Sequence, residues 1–302
     1  APDEYDDLIS GTCSHLPLFA PSLVMCCYLY SCRIPTSIDV AIAYSRKYNL
    51  EPEFIQEKMS TMISFLSIYE GILSDKNQDY YVPRSRSVAE AVIRKIPAED
   101  IKSLLLTFHT EVSPTKISRY DIFRRGAYDS GLVGRAFPDW EEGLKFYELA
   151  SSRDNTHSLK QQAAIYLAHR KQYHLAFSWV DEALSMIGRQ NAPVKNTYAV
   201  ILFLANSDKP LDSEVISSLI ESMEILANCY NSDIRKTYHA KVFSDQALKF
   251  ASRLPMQPES MQYIDKAIHW LQTELTMRTA DRSITRLVAQ LKQAKRSLIR
   301  TC

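Results

Sequence analysis

Residues 158–187, SLKQQAAIYLAHRKQYHLAFSWVDEALSMI, constrain the fold of this chain most strongly. Apolar side chains recur at helical spacing on both sides of a short polar segment at residues 169–172, which predicts two amphipathic helices joined by a turn. Ala164, Ala176 and Ala183 are small enough for close helix contact. Such a pair cannot bury its apolar face alone, so the stretch predicts similar helix pairs on both sides.

Composition favours the same fold class. The chain has 302 residues but only seven glycines, and 46% of its residues are hydrophobic, which suits long helices with few tight turns. The length is about twice that of a typical domain, so two units or one extended array are expected. We predict a nearly all-α protein.

The region that follows residue 139 reads as an α-solenoid of antiparallel helix pairs. Asp139 and Glu142 form a capping box at its start, and Pro193 stands at a favoured first-turn position of a later helix. A last helix at residues 281–300 has apolar residues on one side and Lys and Arg on the other. Cations in its final turn favour the helix dipole, and a nucleic-acid surface there is the minority alternative.

The region before residue 97 has the element order of a winged helix. Residues 16–32 carry no charge and predict a buried helix, and Thr36 or Ser37 can cap a second one. A third helix is expected over residues 53–69 and a hairpin over residues 72–82. A further helix is expected to start at a capping box formed by Ser87 and Glu90. We therefore predict a winged-helix-like domain at 1–97, connecting helices at 98–138 and helical repeats at 139–302.

Charge argues against DNA binding through this domain. The helix expected at residues 53–69 is preceded by Glu51, begins with Glu53 and Glu57, and offers only Lys58 near its start, so phosphate repulsion would oppose docking. A net charge of +1 also argues against a general polyanion binder. Arginines between the two domains, Arg119, Arg124, Arg125 and Arg135, could meet a phosphate, but solvation of a face or pairing with nearby carboxylates is the favoured interpretation.

No motif of catalysis is present. The sequence has no phosphate-binding glycine loop and no nucleophile elbow, its seven histidines are scattered singly, and its six cysteines lack metal-ligand spacing. Reduced thiols favour a cytoplasmic location. Pro17 and Pro21 interrupt the charge-free segment, which favours a core helix over a membrane span. We predict no enzymatic activity, no metal and no cofactor in this chain.

Residues 172–184, QYHLAFSWVDEAL, resemble the second half of a tetratricopeptide repeat, with its alternation of aromatic residues and alanine. Tyr263, Ala267 and Trp270 repeat this spacing more weakly. The first helix departs from the repeat, because Ala163 and Ala164 stand where a Leu-Gly pair is preferred.

Residues 81–92, YVPRSRSVAEAV, resemble the end of the winged helix in STAND-type NTPases of the bacterial anti-phage group, with Ser85 where that pattern often has His. The resemblance implies a sensor region that recognises a protein ligand, phage-encoded in antiviral defence. It also implies an upstream module that binds ATP or ADP, and oligomerisation on activation. The start, APDEYDDL, reads as the interior of a longer polypeptide.

Candidate contacts to a protein ligand follow from the repeat geometry. First helices of each pair usually line the concave face of such an array, which nominates Lys160, Gln161, Tyr198, Lys241 and Ser244. Two alternatives stay open. One is a DNA-binding transcriptional regulator with the repeats as its sensor arm, and the other is a free-standing scaffold protein.

Overall fold

The computed structural model describes residues 19–61, 66–73, 76–188, 190–277 and 281–301. Within these residues the chain is predominantly helical, as predicted, with one small three-stranded sheet. Two compact units divide the chain, Ala1–Tyr166 and Leu167–Cys302. Among the helices described, none is both long and apolar enough to cross a membrane.

The elements up to residue 169 are, in order, α1 (Phe19–Ser31), β1 (Thr36–Ser37), α2 (Ile38–Ser45), α3 (Pro52–Thr61), β2 (Leu66–Leu73), β3 (Lys76–Pro83), α4 (Arg86–Lys95), α5 (Ala98–Glu111), α6 (Tyr120–Ala127), α7 (Ser130–Ala136), α8 (Trp140–Arg153) and α9 (His157–His169). Short 3-10 turns lie at Arg46–Tyr48 and Pro114–Lys116. The remaining helices are α10 (Tyr173–Ile187), α11 (Ala192–Ser207), α12 (Ser213–Ser232), α13 (Lys236–Arg253), α14 (Pro258–Met277) and α15 (Arg282–Thr301).

The predicted hairpin is confirmed and is longer than expected. β2 and β3 pair antiparallel from Leu66↔Pro83 to Leu73↔Lys76, and β1 pairs with the other edge of β3, which gives the order β1-β3-β2. The prediction that the third helix continues to residue 69 was wrong. α3 ends at Thr61, and its predicted core residues Met62 and Ile63 lie outside the described residues. Pairing with β3 provides backbone partners that local periodicity in residues 66–69 does not reveal.

α1 is buried in the core of the first unit, as its lack of charge predicted. Met25, Cys26, Cys27, Tyr28 and Leu29 have no exposed surface, and the helix packs against α4 and β3. A helix that is apolar all round can be accommodated only where neighbours surround it.

Helix starts follow the capping rules with one correction. Ser37 caps α2 and Asp139 caps α8, as predicted. The cap of α4 is Ser85 and not Ser87, because Ser85 has an extended backbone and its Oγ accepts a hydrogen bond from the Val88 amide at 3.2 Å. Ser87 is the second residue of the helix, so its backbone is helical, whereas a cap residue needs a non-helical backbone.

The second unit is a succession of packed helices. Each helix from α10 to α14 contacts the helix that follows it in sequence. In addition, α13 contacts both α11 and α15. Asn196 near the start of α11 bonds to His239 near the start of α13, and Arg253 at the end of α13 donates to the Lys209 carbonyl just after α11. Starts and ends both meet, so these two helices run in the same direction. Their shared core includes Phe203, Phe243 and Phe250.

The connection between α9 and α10 has the predicted position. Arg170, Lys171 and Gln172 form a turn in which the Gln172 amide donates to the Leu167 carbonyl at 2.9 Å. Lys171 has a φ of 60°, a left-handed conformation that is uncommon for a residue other than glycine. The chain thus reverses without glycine.

Candidate functional site

The five residues predicted to contact a protein ligand lie in different units. Lys160 and Gln161 belong to α9 in the first unit, where both side chains are half-buried. Tyr198, Lys241 and Ser244 belong to α11 and α13 of the second unit. The three residues of the second unit also have different surroundings.

Tyr198 faces the helices on either side of it in sequence. Its ring contacts Phe177 of α10 edge-on, with 5.5 Å between ring centroids. Partial burial, together with the negative charges of Glu221 in α12 and Asp181 in α10, raises the pKa of its hydroxyl. Tyr198 therefore packs α11 against α10.

Lys241 and Ser244 differ although they are neighbours on α13. The Lys241 ammonium binds Asp281 Oδ2 at 2.8 Å and Ser283 Oγ at 2.7 Å, which joins α13 to the start of α15. Ser244 is completely buried, and within the described structure its hydroxyl has no hydrogen-bond partner. The nomination of Ser244 as a surface contact is thus corrected, because its side chain points into the helix core.

A row of accessible side chains follows α13 on the opposite side from its core. Tyr238, Lys241, Asp245 and Lys249 occur at intervals of three and four residues, so they share one face of the helix. Tyr238 is 43% exposed, Asp245 and Lys249 are exposed, and Lys241 is half-buried. We call these four residues the α13 stripe.

The second half of the α13 stripe carries coupled charges. Desolvation by neighbouring protein atoms raises the pKa of Asp245 although the residue is exposed, and the charge of Lys249 opposes this rise. Desolvation by neighbouring protein atoms, together with the smaller effects of the positive charges of Lys249 and Arg170, lowers the pKa of His169 at the end of α9. His169 is therefore neutral at pH 7, and Lys249 lies within electrostatic reach of both groups.

The α13 stripe can bind protein better than it can perform chemistry. It combines one tyrosine, an amphipathic residue common in protein interfaces, with hydrogen-bonding groups of both charges. Sequence reasoning found Lys241 but not Tyr238, Asp245 or Lys249. The four-residue spacing of Asp245 and Lys249 was the available signal, but such pairs occur on many solvated helices.

A buried polar network lies beneath the start of α13. His239 has no exposed surface, its Nδ1 lies 2.9 Å from Asn196 Nδ2, and its Nε2 lies 2.9 Å from Asp233 Oδ2. Asp233 also accepts hydrogen bonds from the backbone amide and guanidinium of Arg235. Because the imidazole is sealed from solvent and each ring nitrogen has a partner, the network fixes α11 against α13.

A small aromatic-lined pocket in the first unit surrounds a second buried histidine. His109 Nε2 lies 3.1 Å from the Tyr28 hydroxyl, which donates to the Ala127 carbonyl at 3.0 Å. Desolvation, reinforced by the positive charge of Arg153, lowers the pKa of His109 to about 3. The imidazole is therefore neutral and acts as a core hydrogen-bonding ring.

The arginines between the two predicted domains have structural roles where their partners are resolved. Arg124 pairs with Asp121 at 2.8 Å, as the favoured interpretation predicted. Arg135 instead donates to three main-chain carbonyls at the end of α4, those of Ile93, Arg94 and Ile96, at 2.9 to 3.1 Å. This guanidinium satisfies carbonyls that a helix end leaves without partners.

Two further tests bear on function. Among the residues that the structure describes, no group of three His, Cys, Asp or Glu side chains could hold a metal ion. No family model, curated protein or solved structure significantly matches this chain. Function must therefore be argued from the surface itself.

Proposed function

We propose that this chain is the non-catalytic, protein-binding sensor region of a STAND-like NTPase. Its helical repeats recognise a protein ligand, and its winged-helix-like domain couples ligand binding to an upstream module that binds ATP or ADP. The observation that carries this proposal is the α13 stripe, an accessible row of one tyrosine and three charged side chains on a succession of packed helices.

The packing of the second unit supports a repeat array. Contacts between α11 and α13 and between α13 and α15 place alternate helices side by side, in addition to the contacts between consecutive helices. Repeat proteins stack their helix pairs in this way and use the accessible side chains of one layer to bind proteins. The proposed ligand therefore contacts the layer that contains α13.

The order of elements before residue 97 supports a winged-helix-like domain. Three helices, a short strand between the first two, and a hairpin that pairs with this strand occur in the succession typical of that fold. The exposed side of α3 carries Glu53 and Glu57, and Lys58 is paired with Glu57 at 3.1 Å. This charge opposes DNA binding through α3 and favours packing on another protein module.

Coupling between ligand and nucleotide requires two states of the whole protein. A ligand shifts the equilibrium only if it binds one state more tightly, so the repeats must be more accessible in the open state than in the closed one. In the proposed mechanism the ligand stabilises the open state, and the open molecules oligomerise.

The test uses the complete gene in bacteria challenged with a panel of phages. We expect protection against at least one phage, and we expect the double variant Asp245→Lys/Lys249→Glu to lose it. This exchange keeps the net charge and the four-residue spacing of opposite charges but reverses the charges presented by the α13 stripe at these two positions. The matched control is Asp265→Lys/Lys295→Glu, which exchanges an ion pair between α14 and α15 whose atoms are 2.5 Å apart.

Two outcomes would overturn the proposal. One is a complete gene that encodes no phosphate-binding loop, which would favour the scaffold alternative. The other is protection that survives the Asp245→Lys/Lys249→Glu exchange while both variants are expressed and helical. Loss of protection in the control alone would place the ligand on α14 and α15 instead.

A further inference from the structure

The exposed side of α15 carries a row of cations with no carboxylate. Arg282, Arg286, Arg296 and Arg300 lie on the helix side opposite the buried residues Ile284, Leu287, Leu291 and Leu298, and Lys292 lies beside them. All five cationic side chains are exposed. The row extends over about 27 Å of the helix axis, at 1.5 Å per residue. We call these five residues the α15 row.

The α15 row is not neutralised within the part of the chain that the structure describes. Asp281 and Asp265, the carboxylates paired at this helix, are bound by Lys241 at 2.8 Å and by Lys295 at 2.5 Å. No ion pair is formed by any of the five cations in the described residues. The nearby acidic groups are therefore occupied by lysines outside the row.

The helix dipole does not explain these cations. Of the five, only Arg300 lies in the last turn, where a positive charge is stabilised by the dipole. Arg282 is the first helical residue and Arg286 lies one turn later, near the positive end, where a further positive charge is unfavourable. A stability argument would place acidic residues at these positions.

The low net charge of the chain conceals this concentration. Residues 236–302 contain twelve Lys and Arg against five Asp and Glu, whereas residues 1–235 contain 24 basic and 30 acidic residues. The last three helices are therefore strongly basic although the whole chain has a net charge of only +1. A local electrostatic field attracts anionic partners whatever the total charge.

The composition of the row identifies the class of partner. Protein interfaces need an apolar or aromatic centre, but the positions between the cations hold small or polar residues such as Ala289 and Gln293. The large apolar side chain of Ile299, which is 60% exposed, lies at the edge of the row and not at its centre. The apolar face of α15 is occupied by the core, so the helix cannot insert it into a membrane surface. Single-stranded nucleic acids are held by aromatic stacking, and α15 contains no aromatic residue.

Phosphates of a nucleic-acid duplex fit these properties. Four of the five cations are arginines, whose planar guanidinium binds phosphate through two hydrogen bonds. Arg286 and Arg296 are about 15 Å apart along the axis, comparable with the width of about 12 Å of the DNA major groove. We propose that the α15 row binds the phosphate backbone of duplex nucleic acid without reading its sequence, independently of any binding to the α13 stripe.

The experiment measures fluorescence anisotropy of a labelled DNA duplex of about 20 base pairs with the whole chain at several salt concentrations. If five phosphates are contacted, the slope of log K against log salt is about −4.5, so binding weakens about 500-fold between about 50 mM and about 200 mM salt. The variant Arg286→Gln/Arg296→Gln/Arg300→Gln retains two contacts, and the same change in salt should then weaken binding only about 12-fold.

The matched control is Arg46→Gln/Arg94→Gln/Arg125→Gln, which removes three exposed arginines of the first unit and the same amount of charge. It should leave the slope near −4.5, and circular dichroism should show unchanged helicity in both variants. Equal slopes for the two triple variants would refute binding by the α15 row. Binding to polyglutamate but not to the duplex at about 50 mM salt would assign the row to an acidic protein and would also refute the proposal.

Discussion

Gly143 is required by one close contact in the first unit. A Cβ atom at this position of α8 would lie 2.1 Å from the Tyr166 hydroxyl and 2.2 Å from its Cζ, far inside van der Waals contact. Tyr166 cannot move freely, because it is buried and its single hydroxyl proton is shared between the carbonyls of Phe137 at 3.0 Å and Asp139 at 2.8 Å. Gly143→Ala must therefore displace the tyrosine ring.

The expected loss of stability is the balance of three effects. Loss of the hydrogen bonding of the buried Tyr166 hydroxyl accounts for about 1 to 3 kcal/mol, and overpacking around the displaced ring adds about 1 to 3 kcal/mol. Alanine gains about 1 kcal/mol over glycine in a helix interior. We expect Gly143→Ala to destabilise the first unit by about 3 kcal/mol, against the direction of helix propensity.

Trp140 makes the measurement specific to this unit. The chain has three tryptophans, and Trp179→Phe/Trp270→Phe leaves Trp140, at the start of α8, as the fluorescent probe of urea unfolding. Because a two-unit chain need not unfold in one step, a local probe is required.

A Tyr166→Leu background tests whether the clash with the tyrosine ring causes the loss of stability. In Tyr166→Leu the ring atoms that obstruct the Cβ are absent, so Gly143→Ala should become neutral or stabilising by about 1 kcal/mol. Neutrality of Gly143→Ala with Tyr166 present would refute the reasoning, as would an equal loss in both backgrounds.

Three further outcomes are expected. Hydrogen bonds from His239 and Arg235 outweigh partial burial and hold the pKa of Asp233 well below its usual range, so its stabilisation is complete above about pH 4 and is lost as the pH falls further. Asp233→Asn should remove about 2 kcal/mol at pH 7 and flatten this acid dependence, as measured by Trp270 fluorescence. Arg135→Lys should lower the stability of the first unit by about 1 kcal/mol in thermal unfolding, because lysine cannot reach three carbonyls at once. Burial raises the pKa of Cys26 and Cys32 to about 12, so iodoacetamide at pH 8 should label both thiols only after unfolding, as mass spectrometry would show.

Local patterns predicted most of the helices but not the extent of the sheet. The turn at residues 170–172 and the caps at Ser37 and Asp139 depend on side chains close in sequence, so the sequence contains the necessary information. Strand β2 depends on pairing with β3, and β1 consists of two residues whose hydrogen bonds come from a strand over forty residues away. No local window contains those partners.

The error at Ser244 has a different cause. Ala240, Ala247 and Ala251 lie four residues before it and three and seven residues after it, and all three are buried. Consistent use of helical periodicity would have placed Ser244 on the same inward face and Tyr238, Asp245 and Lys249 outward. The serine was nominated because it is polar, whereas position on the helix decides exposure.

The net charge of the chain does not describe the surface of α15, just as the polarity of Ser244 does not determine its exposure. In both cases the position of the residues in the structure decides. Averaging over the chain cancels the acidic excess of residues 1–235 against a helix that has six basic residues and no acidic one. Electrostatic attraction acts over about 10 Å in physiological salt, so a binding surface responds to the charges of one or two helices and not to the sum over 302 residues. Duplex binding by the α15 row is therefore compatible with a net charge of +1 for the whole chain.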